Sequence, residues 1–289
     1  MFLPSSHTFA RRPSTESRVN PTTQLRPALL TWPGAAASMC VMAIARAFRF
    51  AGFEAGLWIG LYGAYLALRN VAIGNANEAF ANASTVVHVE RAVGIFHEVS
   101  VQRFLSVDLP FERFFDVYYM LGFGPVVFAT LFWLALRHRD DYRQLRNWLL
   151  LSIAIASLSY VMLPTAPPRL VHGLGIADTV GLSGHDTGSF AGIKFNPYAA
   201  MPSMHVGWSL LVGLIGFRVA RRRIVRVFFL VHPVLMAMTV TATGNHYFLD
   251  SIVGVLVALS AAAIVQLVPW SRLASLRPRP ALGQPCSSH

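Results

Sequence analysis

His246 and Asp250 stand four residues apart, a spacing that puts both side chains on one face of a helix. A carboxylate so placed can fix the tautomer and orientation of an imidazole, and an oriented imidazole can act as a nucleophile. A second histidine, His205, is suited to general acid–base work. It follows Pro202 and Ser203, which read as a helix start where free amide N–H groups favour an anion, so Ser203 is a candidate phosphate contact. Arg169, in the segment 164–170 (PTAPPRL), offers a planar fork matched to phosphate oxygens. Each feature has a plain explanation when taken singly: a packed histidine, a helical salt bridge, a loop arginine against lipid headgroups. Nucleophile, acid, orienting carboxylate and anion cradle together read as phosphoryl transfer.

The elements that must hold these residues are apolar helices. The chain of 289 residues is 54% hydrophobic and 13% charged, and a soluble domain is typically about a quarter charged. Six segments meet or approach the roughly 20 apolar residues that a spanning helix needs: 56–73, 116–136, 148–163, 204–219, 225–243 and 251–270. The expectation is an all-α, polytopic membrane protein built as a six-helix bundle, with the catalytic membrane domain at 50–270. Residues 1–28 are polar and Arg-rich and read as a disordered cytoplasmic N-terminus. The Pro/Arg/Ser-rich tail 271–289 reads the same way. The apolar stretch 29–45 is interrupted by Trp32-Pro33-Gly34 and followed by Arg46 and Arg49. Residues 29–49 therefore read as an interfacial helix, with an uncleaved signal-like segment or a seventh span as alternatives. Cys40 and Cys286 lie near opposite ends with no metal-type spacing, which speaks against a disulfide or Cys–metal framework.

The net charge of +11 does not point to nucleic acid, because the arginines cluster beside apolar runs as in cytoplasmic loops. They crowd the N-terminus, the loop with Arg137, Arg139, Arg143 and Arg146, the loop with Arg218, Arg221, Arg222, Arg223 and Arg226, and the tail. The alternate connections are poorer: 74–115 carries three arginines against five acids, 164–203 has Arg169 and Lys194, and 244–250 has no arginine or lysine. Both termini are therefore expected in the cytoplasm. Arg169, the Ser203–His205 segment and the His246–Asp250 segment then all fall on the opposite, non-cytoplasmic side.

The segments 199–209 (AAMPSMHVGWS) and 243–254 (TGNHYFLDSIVG) resemble the second and third signature motifs of the type 2 phosphatidic acid phosphatase superfamily. The PTAPPRL segment is similar to that of its inositol phosphoceramide synthase-like (inositolphosphotransferase) branch. The resemblance covers roughly residues 56–270. It implies that His246 forms a phosphohistidine with Asp250 orienting it, that His205 protonates the leaving group, that Arg169 binds phosphate, and that neither metal nor cofactor is needed. Two positions depart from the pattern: the superfamily's lysine seven places before the arginine is Met162 here, and its arginine six places before the nucleophilic histidine is Val240. Lys194 and Asn245 are candidate substitutes for the missing cations.

Three functions compete. The first is transfer of a phospho-headgroup from a phospholipid to an alcohol acceptor. The second is hydrolysis of a lipid phosphate or pyrophosphate, a polyprenyl phosphate included, with water as acceptor. The third is a transporter or binding protein with histidines on its pathway. It calls for polar residues deep in several spans, and these spans are mostly apolar through their middles. Expected partners are the lipid substrate and the membrane, with no nucleic acid; oligomeric state is left open. The near-absence of lysine suits a bacterial plasma membrane with the site outside the cytoplasm. In 74–115, Glu78, Glu90, Arg91, His97 and Glu98 follow a helical period and read as a solvated or interfacial amphipathic helix, or alternatively a lid. His232 reads as a packed or interface histidine, and Trp148 and Trp270 as part of an aromatic belt. The Gly/Ser/Asp-rich stretch 173–192 reads as a substrate gate.

Overall fold

The computed structural model describes residues 41, 52–60, 63, 76–105, 109–182, 189–190, 193–194 and 196–268. The chain divides into two compact units at residues 59 and 60. In the first, Val41 and residues 52–59 are helical. The expectations for 1–28, most of 29–49, most of the span 56–73, Cys40, Cys286, Trp270 and the tail 271–289 lie outside the described residues.

The second unit is an all-α membrane body. Its helices of eight or more residues are α1 (Ala76–Ala92), α2 (Glu98–Leu105), α3 (Leu109–Gly122), α4 (Gly124–Arg137), α5 (Arg139–Met162), α6 (Met204–Val219), α7 (Arg223–Ala242) and α8 (Phe248–Leu267). Four runs are long and apolar enough to cross a bilayer: Leu109–Arg137 with 29 residues, α5 with 24, and α7 and α8 with 20 each. At about 1.5 Å per residue these reach roughly 30 Å or more, the thickness of the hydrocarbon core. The protein is therefore an integral membrane protein. A two-residue antiparallel pairing of Ser189–Phe190 with Ile193–Lys194 is the regular β-structure among the described residues.

Leu109–Arg137 divides at Phe123, where φ is −91° and ψ is −83°. Gly122 and Gly124 flank that residue, and Pro125 follows in the first turn of α4, where its missing N–H costs nothing. The break sits beside the site described below. Helix α5 begins nine residues earlier than the apolar pattern indicates, because Tyr142, Leu145, Leu149 and Ala156 keep one face buried while Asp140, Arg143 and Arg146 face away. Trp148 belongs to that buried face at 4% exposure, so the aromatic-belt reading of this residue is corrected: it is core.

Helix α6 has 16 residues and is the innermost element, with Leu211, Val212 and Ile215 fully buried. It packs between α7 and α8, while α8 also lies on α5, and α3 on α7. Two glycines bring α6 and α8 together. A Cβ on Gly254 would stand 2.2 Å from the Ser203 carbonyl oxygen, and one on Gly207 would stand 2.7 Å from the Gly254 carbonyl oxygen. Small residues at such a crossing let backbones approach closely inside a membrane. Here the approach sets the start of α6, which carries His205, against the start of α8, which carries Asp250.

Outside the spans, α1 buries Ala79, Ala83, Val86, Val87 and Glu90, one stripe at helical spacing. The expected amphipathic helix in 74–115 is present, with Arg91 on its exposed face and His97 exposed beyond its end, but two acids of the stretch are not solvated. Glu90 is 0% and Glu98 1% exposed, because both are drawn onto backbone amides at the start of α8.

Candidate active site

The segments that carry Arg169, His205 and His246 are knitted together by backbone bonds. Thr165 and Ala199 form a parallel bridge, with Thr165 N–H donating to the Tyr198 carbonyl at 2.8 Å and Ala200 N–H to the Thr165 carbonyl at 3.2 Å. Arg169 N–H donates to the Gly244 carbonyl at 3.0 Å, and Ser203 N–H to the Asp250 carbonyl at 2.9 Å. Helix α1 supports the first segment, with Asn82 Nδ2 donating to the Pro164 carbonyl at 2.8 Å. Gly244 sits at φ +66°, and a Cβ there would lie 2.8 Å from the Ala177 carbonyl oxygen and 3.2 Å from Arg169 Cβ. Only glycine combines that backbone conformation with that proximity.

The two histidines meet. His246, 5% exposed, directs Nδ1 to the Ala200 carbonyl oxygen at 2.8 Å, and Asp250 Oδ2 lies 3.5 Å from the same nitrogen. Two acceptors around Nδ1 place the ring proton there and leave Nε2 with its lone pair. His205 Nδ1 lies 3.2 Å from that Nε2, so the bond between the rings runs from His205 Nδ1–H to His246 Nε2. Asp250 also accepts from Tyr247 N–H at 2.9 Å, in a capping box at the start of α8. The carbonyl of Ala200, which no side-chain pattern could announce, is the nearer acceptor for the imidazole, and Asp250 shares that task while capping the helix. On its other side His205 is walled by Tyr119, at 4.9 Å between ring centroids, and Phe123, at 4.4 Å.

Arg169 supplies the guanidinium. Its Nη1 donates to Asn245 Oδ1, and its Nε lies 3.4 Å from Asp178 Oδ2. Asn245 in turn donates through Nδ2 to Thr243 Oγ1 at 2.8 Å. Asn245 therefore positions the arginine rather than replacing a missing cation. Ser203 is the N-cap of α6; its Oγ is fully buried without a hydrogen-bond partner, an unsatisfied donor two residues from His205. The side chain of Lys194 lies outside the described residues. Of the two positions that depart from the resemblance, Met162 is 64% exposed at the end of α5. Val240 is buried with Val206 and Met236 against Tyr119 and Phe123. Neither brings charge to the site.

Several neighbours escaped the sequence. Gln102 donates to the carbonyls of Ala177 and Ala242, both at 2.9 Å, and accepts from Ala177 N–H at 2.8 Å, tying α2 to the segment that carries Asp178. Buried Asp116 accepts from Thr179 Oγ1 at 2.7 Å. Within the stretch read as a gate, Asp178 thus reaches the arginine; residues 183–188 and 191–192 lie outside the described residues. Phe248 N–H donates to Glu98 Oε1 at 3.0 Å, and Leu249 N–H to Glu90 Oε1 at 2.6 Å. Burial, and then the hydrogen bond and charge of Glu98, push the Glu90 carboxyl up to about 9. Burial, then the carboxyls of Asp250, Glu90 and Glu98, raise the Tyr247 phenol above its ordinary range. The hydrophobic signal of α1 was visible; the long-range amide partners of its acids were not. His232 is 1% exposed and bonded to the Tyr118 hydroxyl at 2.6 Å, a packed histidine apart from the pair above. Among the described residues no group of three or more histidine, cysteine, aspartate or glutamate side chains is arranged to hold a metal ion.

Residues 84–264 match the PAP2 superfamily, more than half of the chain. No curated protein matches it by sequence. Among solved structures, it is similar to the crystal structure of Aquifex aeolicus LpxE, at 15% identity over 58% of this chain and 93% of that one, with a TM-score of 0.43.

Proposed function

The chain belongs to the PAP2 superfamily and is an enzyme acting on lipid phosphates; on that premise we propose that it passes a phospho-headgroup from a phospholipid, through a phosphohistidine at His246, to an alcohol acceptor. The observation that carries the chemistry is the histidine pair. His246 Nε2 holds a lone pair because Nδ1–H is engaged by Ala200 and Asp250, and His205 Nδ1 stands 3.2 Å away. In the first half-reaction His246 Nε2 attacks phosphorus, the bond to the leaving oxygen breaks, and His205, protonated on both nitrogens once the negative phosphate stands beside it in place of His246, gives that oxygen its proton. In the second, His205 takes the proton of the acceptor hydroxyl, whose oxygen bonds to phosphorus as the bond to His246 breaks. Arg169, held by Asn245, faces the phosphate oxygens. The unpartnered hydroxyl of Ser203 is a further donor to them.

Charge favours a phosphodiester donor, the kind of substrate from which a phospho-headgroup is transferred. Arg169 is partly offset by Asp178, Met162 is uncharged and exposed, and Val240 is packed in an apolar cluster. A site with one partly neutralised guanidinium suits the single negative charge of a phosphodiester better than the double charge of a phosphomonoester. This is also the direction in which the PTAPPRL segment points, toward the inositolphosphotransferase-like branch. The arginine distribution supports a site on the non-cytoplasmic face, and the near-absence of lysine suits a bacterial plasma membrane.

The test is thin-layer chromatography of purified protein in detergent with labelled phosphatidylinositol, phosphatidic acid and a polyprenyl pyrophosphate, with and without alcohol acceptors. A new labelled phospholipid that appears only with an acceptor establishes transfer. Release of free phosphate, indifferent to acceptor, makes the protein a phosphatase and overturns the transfer reading.

A further inference from the structure

Three consecutive amides follow His246, and each is held by a buried carboxyl. Tyr247 N–H donates to Asp250 Oδ2 at 2.9 Å, Phe248 N–H to Glu98 Oε1 at 3.0 Å, and Leu249 N–H to Glu90 Oε1 at 2.6 Å. Asp250 belongs to α8 itself, but Glu98 and Glu90 come from α2 and α1, about 150 and 159 positions away. The free amides of a helix start are ordinarily met by a local side chain or by water. Here they are met from two other helices, in a place closed to solvent.

The arrangement has a cost that its geometry also resolves. Glu90 and Glu98 are 0% and 1% exposed, and their Oε1 atoms accept from adjacent residues, so the two carboxyls lie side by side. The second oxygen of each, Oε2, is buried with no hydrogen-bond partner. Two buried carboxylates side by side cannot both ionise cheaply, whereas one proton shared by the pair would relieve that cost and leave the pair a single negative charge near the positive end of α8. The groups that face the pair are Asp250 of α8 and the phenol of Tyr247, both buried. The neighbouring Arg91 is exposed and lies over the Phe96 ring at 4.9 Å. No cation on the faces around the pair takes the place of the proton among the described residues.

We propose that Glu90 and Glu98 are a proton-sharing positioning pair, which locks the first turn of α8 from outside the spans and so fixes the ring of His246. The inference rests on the reading of His246 as the nucleophile. Neither glutamate touches the reacting atoms. Their action passes through Phe248 and Leu249 to Asp250 and the loop that carries His246. A turn free to shift would tilt the imidazole away from the Ala200 carbonyl and from His205, and small misplacements of a reacting group are expensive. Because the pair acts through amides it accepts from, glutamine can stand in: its carbonyl oxygen accepts the same N–H, and its NH2 plays the part of the shared proton.

The experiment compares wild type with Glu90→Ala, Glu98→Ala, Glu90→Gln and Glu98→Gln in detergent. Hydrogen exchange of the amides of residues 246–250 and the nitrogen-15 histidine spectrum, with the His246 signal assigned by its loss in His246→Gln, report the geometry without any substrate. Turnover of phosphatidylinositol and phosphatidic acid in mixed micelles reports its consequence. The alanine variants are expected to exchange faster, to move the His246 signal, and to lower kcat on the order of 10- to 100-fold with little change in KM. The glutamine variants restore kcat relative to alanine, and Glu90→Gln removes the decline of wild-type turnover above about pH 9. Should an alanine variant fail to fold, the pH profile of Glu90→Gln decides: a wild-type decline overturns the proposal. So does wild-type kcat in an alanine variant, or an unmoved His246 signal. If wild type turns over no lipid, the functional reading fails by itself, and exchange and the His246 signal still decide whether the pair fixes the ring.

Discussion

The Nδ1 atom of His205 and the Nε2 atom of His246 lie 3.2 Å apart, the two rings in direct contact. In the proposed mechanism a phosphoryl group reaches His246 by replacing this bond. Its arrival separates nucleophile and acid by the width of the group that they act on, and it finds both rings already oriented, His246 by Ala200 and Asp250 and His205 by Tyr119 and Phe123. This preorganisation places the reacting nitrogens before substrate binds.

The division of labour between the two histidines is testable through the leaving group. His246→Ala removes the atom that bonds to phosphorus, and turnover is expected to fall by about three orders of magnitude or more with any substrate. His205→Ala removes the proton donor, with an expected loss of about 10²- to 10⁴-fold for an alkyl phosphoester. That loss shrinks sharply when the leaving group is a nitrophenolate, which departs without a proton. Equal losses for both leaving groups would show that His205 does not act as the acid. Because the proposed mechanism draws on imidazoles and a guanidinium, wild-type turnover is expected to persist in excess EDTA; full loss restored by zinc or magnesium would require a metal.

Gly244 links the arginine to the nucleophile loop, so its replacement should disturb both. Its φ is +66°, and an added methyl would stand 3.2 Å from Arg169 Cβ and 2.8 Å from the Ala177 carbonyl oxygen. Gly244→Ala therefore meets strain and a backbone clash together. A cost of about 1–3 kcal/mol in stability is expected, with a rise in KM as Arg169 is displaced. Thermal melts in detergent and steady-state kinetics measure the two effects, and an unchanged KM would mean that Arg169 does not contact the substrate.

In the proposed site Asp178 competes with substrate for the guanidinium. The pair is 3.4 Å apart, with the aspartate side chain 34% exposed, so its attraction is largely screened and is worth at most about 1 kcal/mol. Asp178→Asn is therefore expected to lower KM by about two- to fivefold, leaving kcat nearly constant. Inhibition by inorganic phosphate offers a second readout, since its Ki should fall in parallel. A higher KM would assign Asp178 to substrate binding instead.

What could be read from the residues was the periodic and the local part. The apolar runs located α5 to α8 and one run across α3 and α4, and the spacing of His246 and Asp250, with His205 and Arg169, picked out residues that the folded chain brings close together. Helix ends were less legible: α5 starts at Arg139 because a buried stripe continues through Tyr142 and Leu145 among charges that look like loop. Backbone acceptors such as the Ala200 carbonyl carry no side-chain signature. Glu90 and Glu98 looked solvated because acids on an amphipathic helix usually are. Their burial depends on amides about 150 residues away, information that exists only once the chain is folded.

Glu90 should also leave its mark on stability. Its carboxyl rises from 4.5 to about 9, so between those values the folded chain holds a proton that the unfolded chain has released. Stability falls with rising pH wherever the folded state binds more protons. The contribution is therefore fully present below about pH 4.5 and lost as pH climbs through about 9. Thermal melts of wild type across this window are expected to show a declining midpoint, each ~1 kcal/mol appearing as roughly 2–4 °C in a chain of this size. Glu90→Gln cannot ionise, so its midpoint should decline less over the same range, and the two curves should approach each other toward the acid end. Parallel curves would mean that Glu90 is already ionised in the folded protein, and that the Glu90–Glu98 pair carries two full negative charges rather than one.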